Sequence, residues 1–166
     1  MKIGVLSDTH VSEIGQLPQS LVRRLAEVDL IVHLGDYTGK EVLDGLRRLG
    51  NFRGVRGNMD PASVRQELPE TDMLEVEGKR IGLIHGWGSP TGMEEKVRSR
   101  FSDVDAILYG HTHMPANRVQ DGVLLLNPGS ATGRFPAVRQ TYGILSVMDS
   151  IRGEVITIRR WPEGRR

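Results

Sequence analysis

The sequence predicts an α/β fold in which two β-sheets form the core and helices cover it. In the first half of the 166-residue chain, short apolar runs alternate with segments of helical spacing, as expected for parallel strands covered by helices. In the second half, apolar runs follow one another in pairs around tight-turn residues, a pattern that indicates hairpins. The length suits one domain, so residues 1–166 are predicted to form a single domain.

The first half predicts three strands and two helices. Its first two strands are nearly continuous apolar runs, which suit parallel strands that are covered on both faces. In chain order the predicted elements are a strand at 3–6, a helix carrying Leu21, Leu25 and Val28 after Pro18, a strand at 30–34, a helix at 41–49 and a strand leading to Gly57 and Asn58. The first three of these elements form a predicted βαβ unit.

The second half predicts two hairpins, one helix and further strands. The turn dipeptides Gly78-Lys79 and Asp121-Gly122 mark the two hairpins. In chain order the predicted elements are strands at 73–77 and 80–85, an amphipathic helix carrying Met93, Val97 and Phe101, a strand at 106–109, strands at 117–119 and 123–126, and strands at 142–147 and 155–158. Only residues 162–166 are predicted to be unanchored.

The composition excludes several kinds of protein. The 22 basic and 21 acidic residues give a net charge of +1, which is too small for a global attraction to nucleic acid or membranes. The pairs Arg159-Arg160 and Arg165-Arg166 are interpreted as a solvated face. Cysteine is absent, which leaves oxygen and imidazole as ligands for a metal. No segment is typical of a signal peptide or a membrane span, so a cytoplasmic protein is predicted.

Seven residues of the kinds that bind metals follow five of the apolar runs. They are Asp8, His10, Asp36, Asn58, His85, His111 and His113. Because ligands gather outside the carboxyl ends of the strands in an open α/β sheet, we expect these side chains to form one shared site. Each short string alone is more often a turn or a helix cap, but five strings at successive strand ends favour a metal site.

The strings themselves resemble a known family signature. S-D-T-H, L-G-D-Y, R-G-N-M-D, I-H-G-W and Y-G-H-T-H are similar, in that order, to the D-x-H, G-D, G-N-H-[DE], G-H and G-H-x-H of the calcineurin-like metallophosphoesterases. The resemblance extends from Lys2 to about Ser130. The short length, I-V-H-L-G-D and L-N-P-G-S resemble the small bacterial and archaeal phosphodiesterase branch. The family resemblance implies a four-layer αββα sandwich of two mixed β-sheets flanked by helices.

The resemblance also implies two divalent metal ions and their ligands. Asp8, His10, Asp36 and His113 would hold the first ion, and Asp36, Asn58, His85 and His111 would hold the second. Mn2+ is the expected ion, with Ni2+, Co2+, Fe2+ and Zn2+ as alternatives. The implied reaction is hydrolysis of a phosphoester, expected to be a phosphodiester, by a water or hydroxide shared between the metals. Asp36, Asn58 and His111 are predicted to take part in catalysis.

One position departs from the family pattern. Met59 stands where the signature has the histidine that protonates the leaving group, and a thioether cannot donate a proton. The small phosphodiesterase branch often lacks this histidine too. Asp60 is the candidate for a substitute proton donor.

Other functions and partners stay open at this point. The same site would serve a phosphomonoesterase, and a retromer subunit that resembles this fold serves chiefly as a scaffold. The scaffold would not need all seven metal-binding residues, so an enzyme is favoured. The expected partner is a small phosphoester, nucleotide-derived in one hypothesis, and relatives of this branch often form dimers or tetramers.

Four further features carry two interpretations each. His33, inside an apolar strand, is predicted to be a hydrogen-bonded core residue and not a ligand. Asn127 to Ser130 are either an ordinary turn or part of the rim of the site. Arg134 would bind a phosphate or be solvated. Trp87 would stack on a nucleobase or, as we expect, pack on the core.

Overall fold

The strands form two five-stranded sheets in the computed structural model, which describes residues 1–158. The strands are β1 Lys2–Leu6, β2 Leu30–His33, β3 Phe52–Gly54, β4 Thr71–Val76, β5 Lys79–Ile84, β6 Ala106–Tyr109, β7 Ala116–Gln120, β8 Val123–Asn127, β9 Thr141–Val147 and β10 Ile151–Thr157. The helices are α1 Gln19–Leu25, α2 Lys40–Leu49, α3 Ala62–Arg65 and α4 Met93–Arg98. The terminal arginine pairs and the tail predicted at 162–166 lie outside the described residues.

Both sheets mix parallel and antiparallel strands. The first has the order β10-β9-β1-β2-β3, and the second has the order β4-β5-β6-β8-β7. In the first sheet β1, β2 and β3 are parallel; in the second β5, β6 and β8 are parallel. The remaining strands join through antiparallel pairs, which include both predicted hairpins. Every parallel strand except β3, the edge strand of the first sheet, has a neighbouring strand on both sides, and layers cover both faces of the sheets.

Three apolar clusters separate four layers. One cluster fills the space between the sheets, with Ile3 and Val5 of β1 facing Leu83 and Leu108 of the second sheet. A second cluster packs α1, α2 and α3 on the outer face of the first sheet. A third packs α4 on the outer face of the second sheet. The predicted αββα sandwich is confirmed.

The element boundaries differ most from the predictions at three places. Helix α1 ends at Leu25, and Val28 packs on the same cluster from the following turn. Helix α4 ends at Arg98, and Phe101 reaches its cluster from a loop, where its ring lies against Gly82. Strand β10 begins at Ile151 and not at 155 because it pairs with β9 along its whole length. Apolar spacing alone does not show where a helix ends.

Two short elements were not predicted. They are the 3-10 turn Ile14–Gln16 and the four-residue helix α3. Both are too short to show a helical period in the sequence. Within residues 1–158, no helix has the length and hydropathy needed to cross a membrane.

Candidate metal centre

All seven predicted side chains meet at one edge of the sandwich. Five parallel strands end there: β1, β2 and β3 of the first sheet and β5 and β6 of the second. Asp8 and His10 follow β1, Asp36 follows β2, Asn58 follows β3, His85 follows β5, and His111 and His113 follow β6. The layer stacking brings the two sets of loops face to face. The site therefore draws on both sheets.

Four of these residues form a first group. One ligand atom from each of Asp8, His10, Asp36 and His113 lies within 4.8 Å of the others. The Nε2 atoms of His10 and His113 are 3.2 Å apart. Nε2 of His113 is also 3.2 Å from Oδ1 of Asp8. Imidazole and carboxylate atoms thus converge on one point.

A second group stands beside the first. Oδ1 of Asn58 lies 3.1 Å from Nε2 of His85 and 3.0 Å from Nδ1 of His111. The two ring nitrogens are 3.4 Å apart. This group consists of one amide oxygen and two imidazoles.

Asp36 connects the two groups. Its Oδ2 lies 3.6 Å from Nε2 of His10, and its Oδ1 lies 3.5 Å from Nε2 of His85. The carboxylate is buried and its orientation is held by the backbone N–H of Met59, which donates to Oδ1 at 2.8 Å. One side chain thus offers an oxygen to each group.

Backbone carbonyls determine which ring nitrogen faces the site. The Nδ1 atoms of His85 and His113 lie 2.6 Å and 3.0 Å from the carbonyl oxygens of Leu34 and Arg134, and Nε2 of His111 lies 2.7 Å from that of Gly88. A carbonyl only accepts, so in the neutral ring that nitrogen carries the hydrogen. The opposite nitrogen of each ring keeps its lone pair and points into the site. This is the usual arrangement of metal-binding histidines.

Burial and neighbouring charges shift the pKa values of the site residues in opposite directions. Burial raises the pKa of Asp36, but its contact with His85 and the amide of Met59 outweigh this and lower it. Burial lowers the pKa of His85, but Asp36 and Asp8 outweigh this and raise it. The carboxylate of Asp8 raises the pKa of His113. For His10 burial dominates and lowers the pKa.

The donor set fits divalent cations. Oδ1 of Asp8 is buried and has no hydrogen-bond partner within the described part of the chain. A buried carboxylate oxygen normally has a donor or a metal, because leaving it unpaired is costly. Carboxylate, amide and imidazole together suit first-row transition metals.

The site is built on strained backbone. Asp8, His10, Asp36, His111 and His113 have φ angles between 46° and 70°, a region that L-residues rarely adopt. Backbone bonds between loops hold these conformations, as from Asp8 N–H to the carbonyl of Gly35 and from His10 N–H to that of Asp36. Such strain is common at functional sites, where the surrounding structure imposes it.

Asp60 lies behind the site and ties two of its loops together. Its carboxylate accepts backbone N–H groups of Tyr37 and Gly57 at 2.6 Å and 2.7 Å, and those of Asp36 and Thr38 at 3.2 Å. Burial raises its pKa, which alone would suit a proton donor. However, both oxygens already accept hydrogen bonds from the protein. The geometry favours positioning of the Asp36 and Asn58 loops over the predicted proton donation.

Asn127 and Ser130 support the site from below. The amide of Asn127 donates to the carbonyl of Gly110 and to Oγ1 of Thr112, which flank His111. The hydroxyl of Ser130 donates to the carbonyl of Asp8. Both side chains are buried. Of the two interpretations of this segment, the structure favours a part of the site that holds its loops.

His33 lies in the core, as predicted. Its Nδ1 accepts the N–H of Gly35, its Nε2 contacts Oγ1 of Thr9, and its ring stacks on Tyr37 with centroids 3.8 Å apart. Burial lowers its pKa from 6.5 to about 3. The folded protein thus requires the neutral ring.

Acid is expected to destabilise the protein through His33. Below pH 6.5 the unfolded chain takes up a proton that the folded chain refuses until about pH 3, so stability falls with pH in this window. The limiting slope of about 1.4 kcal/mol per pH unit gives roughly 2 kcal/mol between pH 6.5 and 4.5. Urea unfolding of parent and His33→Gln proteins, both with chelator, measures this slope. An unchanged slope in the variant would contradict the assignment.

Trp87 and Arg134 stand next to residues that hold the histidines. Trp87 precedes Gly88, and the carbonyl of Arg134 contacts His113. Trp87 is exposed, contrary to the prediction that it packs on the core. The positive charge of Arg134 contributes to lowering the pKa of His10, after the larger effect of burial.

Sequence reasoning missed the backbone partners. The carbonyls of Leu34, Gly88 and Arg134 orient three histidines, yet a backbone atom leaves no trace in residue identity. A sequence signal for one of these contacts was the pair of glycines in the loop that reaches His111. Gly86 and Gly88 both have positive φ, which lets the loop turn so that the carbonyl of Gly88 contacts His111. That loop follows the fourth motif-bearing strand, β5.

The fold and the side-chain set together define the metallophosphoesterase class. Residues 1–150 match the model of the calcineurin-like phosphoesterase superfamily domain, and the chain belongs to this family. It is 40% identical over 163 residues to a probable metallophosphoesterase of Methanocaldococcus jannaschii, covering 95% of this chain and 82% of that protein. The family prediction is confirmed.

Two further relatives extend the comparison. A phosphodiesterase of Methanocaldococcus jannaschii is 27% identical over 174 residues, covering 94% of this chain and 99% of that protein. The crystal structure of Vps29 from Entamoeba histolytica complexed with Zn2+ is 30% identical, with a TM-score of 0.73, and covers 95% of this chain and 99% of that one. The fold is thus shared with that solved structure.

Proposed function

We propose that the protein is a binuclear metal-dependent phosphoesterase that hydrolyses phosphodiesters, carried by a single domain. The observation that supports this most is the position of Asp36 between two groups of ligand atoms. Asp8, His10 and His113 complete the first cation site, and Asn58, His85 and His111 complete the second. The manganese ion is our first choice, with Ni2+, Co2+, Fe2+ and Zn2+ as alternatives.

The side chains contribute charge and orientation. Two divalent cations bound here would lower the pKa of a shared water toward about 7 and neutralise phosphate oxygens. Asp8 and Asp36 supply buried negative charge that favours cations over other occupants. The carbonyls behind His85, His111 and His113 keep lone pairs aimed at the same centre, so no proton has to be displaced from the neutral rings. Catalysis here requires neither serine nor cysteine.

Two observations favour a phosphodiester over a phosphomonoester. A relative across 94% of the chain is named a phosphodiesterase. Met59 also stands where the wider family has the proton-donating histidine, a departure that resembles the small phosphodiesterase branch. A phosphomonoesterase with the same site is the second candidate. A scaffold would not require seven convergent ligand side chains.

Metal removal tests the proposal. The chelated protein is expected to be inactive toward bis(4-nitrophenyl) phosphate and to recover best with Mn2+. Chelation should also lower Tm, because a ligand at 1,000 times its Kd stabilises the folded state by about 4 kcal/mol, or roughly 10 °C for a chain of this size. Release of 4-nitrophenol measures the activity, and calorimetry measures Tm. Metal analysis confirms that the metal has been removed. Hydrolysis that persists with metal confirmed absent would reject the binuclear mechanism.

A further inference from the structure

Four large apolar side chains stand exposed around the metal centre. They are Met59, Trp87, Met114 and Phe135, which are 58%, 40%, 48% and 88% exposed. We call them the apolar rim. Met59 directly follows Asn58, and Met114 directly follows His113. Consecutive Cα atoms are about 3.8 Å apart, so the exposed side chains of these two residues start directly beside ligand residues of the site.

The other two members border the same mouth through the backbone. Trp87 precedes Gly88, whose carbonyl contacts His111, and Phe135 follows Arg134, whose carbonyl contacts His113. Eight large apolar side chains are exposed in residues 1–158, and half of them belong to the apolar rim. A concentration of exposed apolar surface at one place marks a binding surface.

The chemistry of the apolar rim suits a flat ring. It consists of two aromatic side chains and two thioethers, and both kinds make favourable contacts with aromatic groups. Trp87 is also anchored: the guanidinium of Arg100 lies 5.4 Å from its ring centroid, and Arg100 is 3.5 Å from Glu70. An indole that is already held in place loses little freedom when a ligand stacks on it.

The charges near the apolar rim suit one phosphate. Arg134 is exposed, and its carbonyl lies 3.0 Å from Nδ1 of His113 in the first group. Arg56 and Arg100, on the side of Trp87, are already paired with Glu70. A second phosphate of a polyphosphate or an oligonucleotide would therefore have to compete with Glu70 for Arg56 and Arg100.

We propose that the site takes a small phosphodiester with one phosphate and an aromatic ester group that stacks on the apolar rim, with Trp87 as its platform and Arg134 beside the phosphate. The aromatic group is an aryl ring or a nucleobase. This inference rests on the proposed function and names its substrate class. It assigns to Trp87 and Phe135 a part in substrate selection.

Two diesters with the same leaving group test the inference. Methyl 4-nitrophenyl phosphate and phenyl 4-nitrophenyl phosphate both release 4-nitrophenol and differ in the group that remains on phosphorus. After division by the uncatalysed rates, the parent is expected to prefer the phenyl ester by about 10-fold or more in kcat/KM, as base stacking on an aromatic side chain provides. Trp87→Ala and Phe135→Ala should each remove most of this preference, measured as the ratio of the two kcat/KM values within each variant.

Val119→Ala is the matched control. Val119 is 70% exposed on β7 and pairs with Leu124, at the end of β8 away from the metal centre. The parent preference should persist in this variant. Equal kcat/KM for the two esters in the parent, or a loss in Val119→Ala as large as in Trp87→Ala, would overturn the inference.

A binding measurement separates this inference from the proposed function. Calorimetry with phenylphosphonate and methylphosphonate, added to the Mn2+-loaded protein, requires no hydrolysis. The apolar rim predicts tighter binding of the phenyl compound by about 10-fold, and loss of that difference in Trp87→Ala. Equal affinities would overturn the inference even if diesters are hydrolysed. A change of oligomeric state in Phe135→Ala, together with equal affinities, would assign the apolar rim to a protein interface instead.

Discussion

Replacing Asp36 by Asn is expected to abolish binding of at least one metal ion and to lower kcat/KM by about 10³-fold or more, well beyond the roughly 10–100-fold typical of outer-shell partners. Asp36 offers one oxygen to each group of ligand atoms, so its charge serves both. Asn keeps an Oδ1 that can accept the N–H of Met59, and the loop therefore stays supported. Metal analysis after gel filtration and turnover of bis(4-nitrophenyl) phosphate measure the two effects.

The fold should survive this substitution. The site lies on loops after the strands, while the three apolar clusters hold the layers together. Circular dichroism of Asp36→Asn should match the parent. Asp44→Asn is the matched control, because Asp44 is a half-buried acid of α2 whose ion pairs with Lys40 and Arg47 near the surface contribute little. Full hydrolysis by Asp36→Asn would reject Asp36 as the bridge.

A second ligand variant tests the other side of the bridge. His85→Ala is expected to lose metal and activity to a similar extent, because it removes a buried imidazole that contacts both Asn58 and Asp36. Its fold should also persist, although the variant leaves a small cavity under the site. Together the two variants distinguish loss of a charge from loss of a neutral ligand.

The layout of the site could be predicted because one physical rule governs it. Polar residues directly after buried parallel strands have to meet at one edge of the sheet, and both sheets contribute such strands here. Periodicity placed β1, β2, β5 and β6 within about a residue of their observed bounds. Strand β1 is apolar along its length because both of its faces are covered. Ile3 and Val5 face the other sheet, and Leu6 faces the helices.

The parts that escaped prediction depend on contacts distant in sequence. Asp60 lies in a sequence motif and was predicted to donate a proton. Three of its four backbone amide partners, however, come from a loop more than twenty residues earlier. Gly57 shows the same limit: a Cβ there would strike the carboxylate of Asp36, which only the packed loops reveal. Val28 lies outside helix α1 although it continues the apolar spacing of that helix. It is apolar because it packs on the same cluster as the helix.

Because position 59 is a methionine, the site lacks the histidine that protonates the leaving group in the family signature. Its amide donates to the carboxylate of Asp36 at 2.8 Å, so its backbone is held against the proposed bridge. Its side chain is exposed at the mouth of the site and cannot protonate a departing alkoxide. Asp60 is unsuited to replace it, because its oxygens accept backbone amides below the loops. The parent enzyme is therefore expected to depend strongly on the acidity of the leaving group.

Introducing an acid at this position is expected to change that dependence. The parent should hydrolyse 4-nitrophenyl diesters far faster than unactivated alkyl diesters, with a steep fall of kcat/KM as leaving-group pKa rises. Met59→His should raise alkyl diester hydrolysis by about 10²-fold or more and change nitrophenyl diesters little, because a positioned acid contributes roughly 10²–10⁴-fold where protonation limits the rate. The plot of log kcat/KM against leaving-group pKa should become shallower.

A second histidine variant distinguishes a positioned acid from an added imidazole. Met114→His places the same ring on the opposite flank of the mouth, next to His113 and away from the amide that holds residue 59 against Asp36. It should leave the slope of the plot unchanged. An equal gain for both classes of substrate in Met59→His, or a flat plot in the parent, would show that another group already delivers the proton. The absence of a histidine at position 59 would then have no chemical consequence.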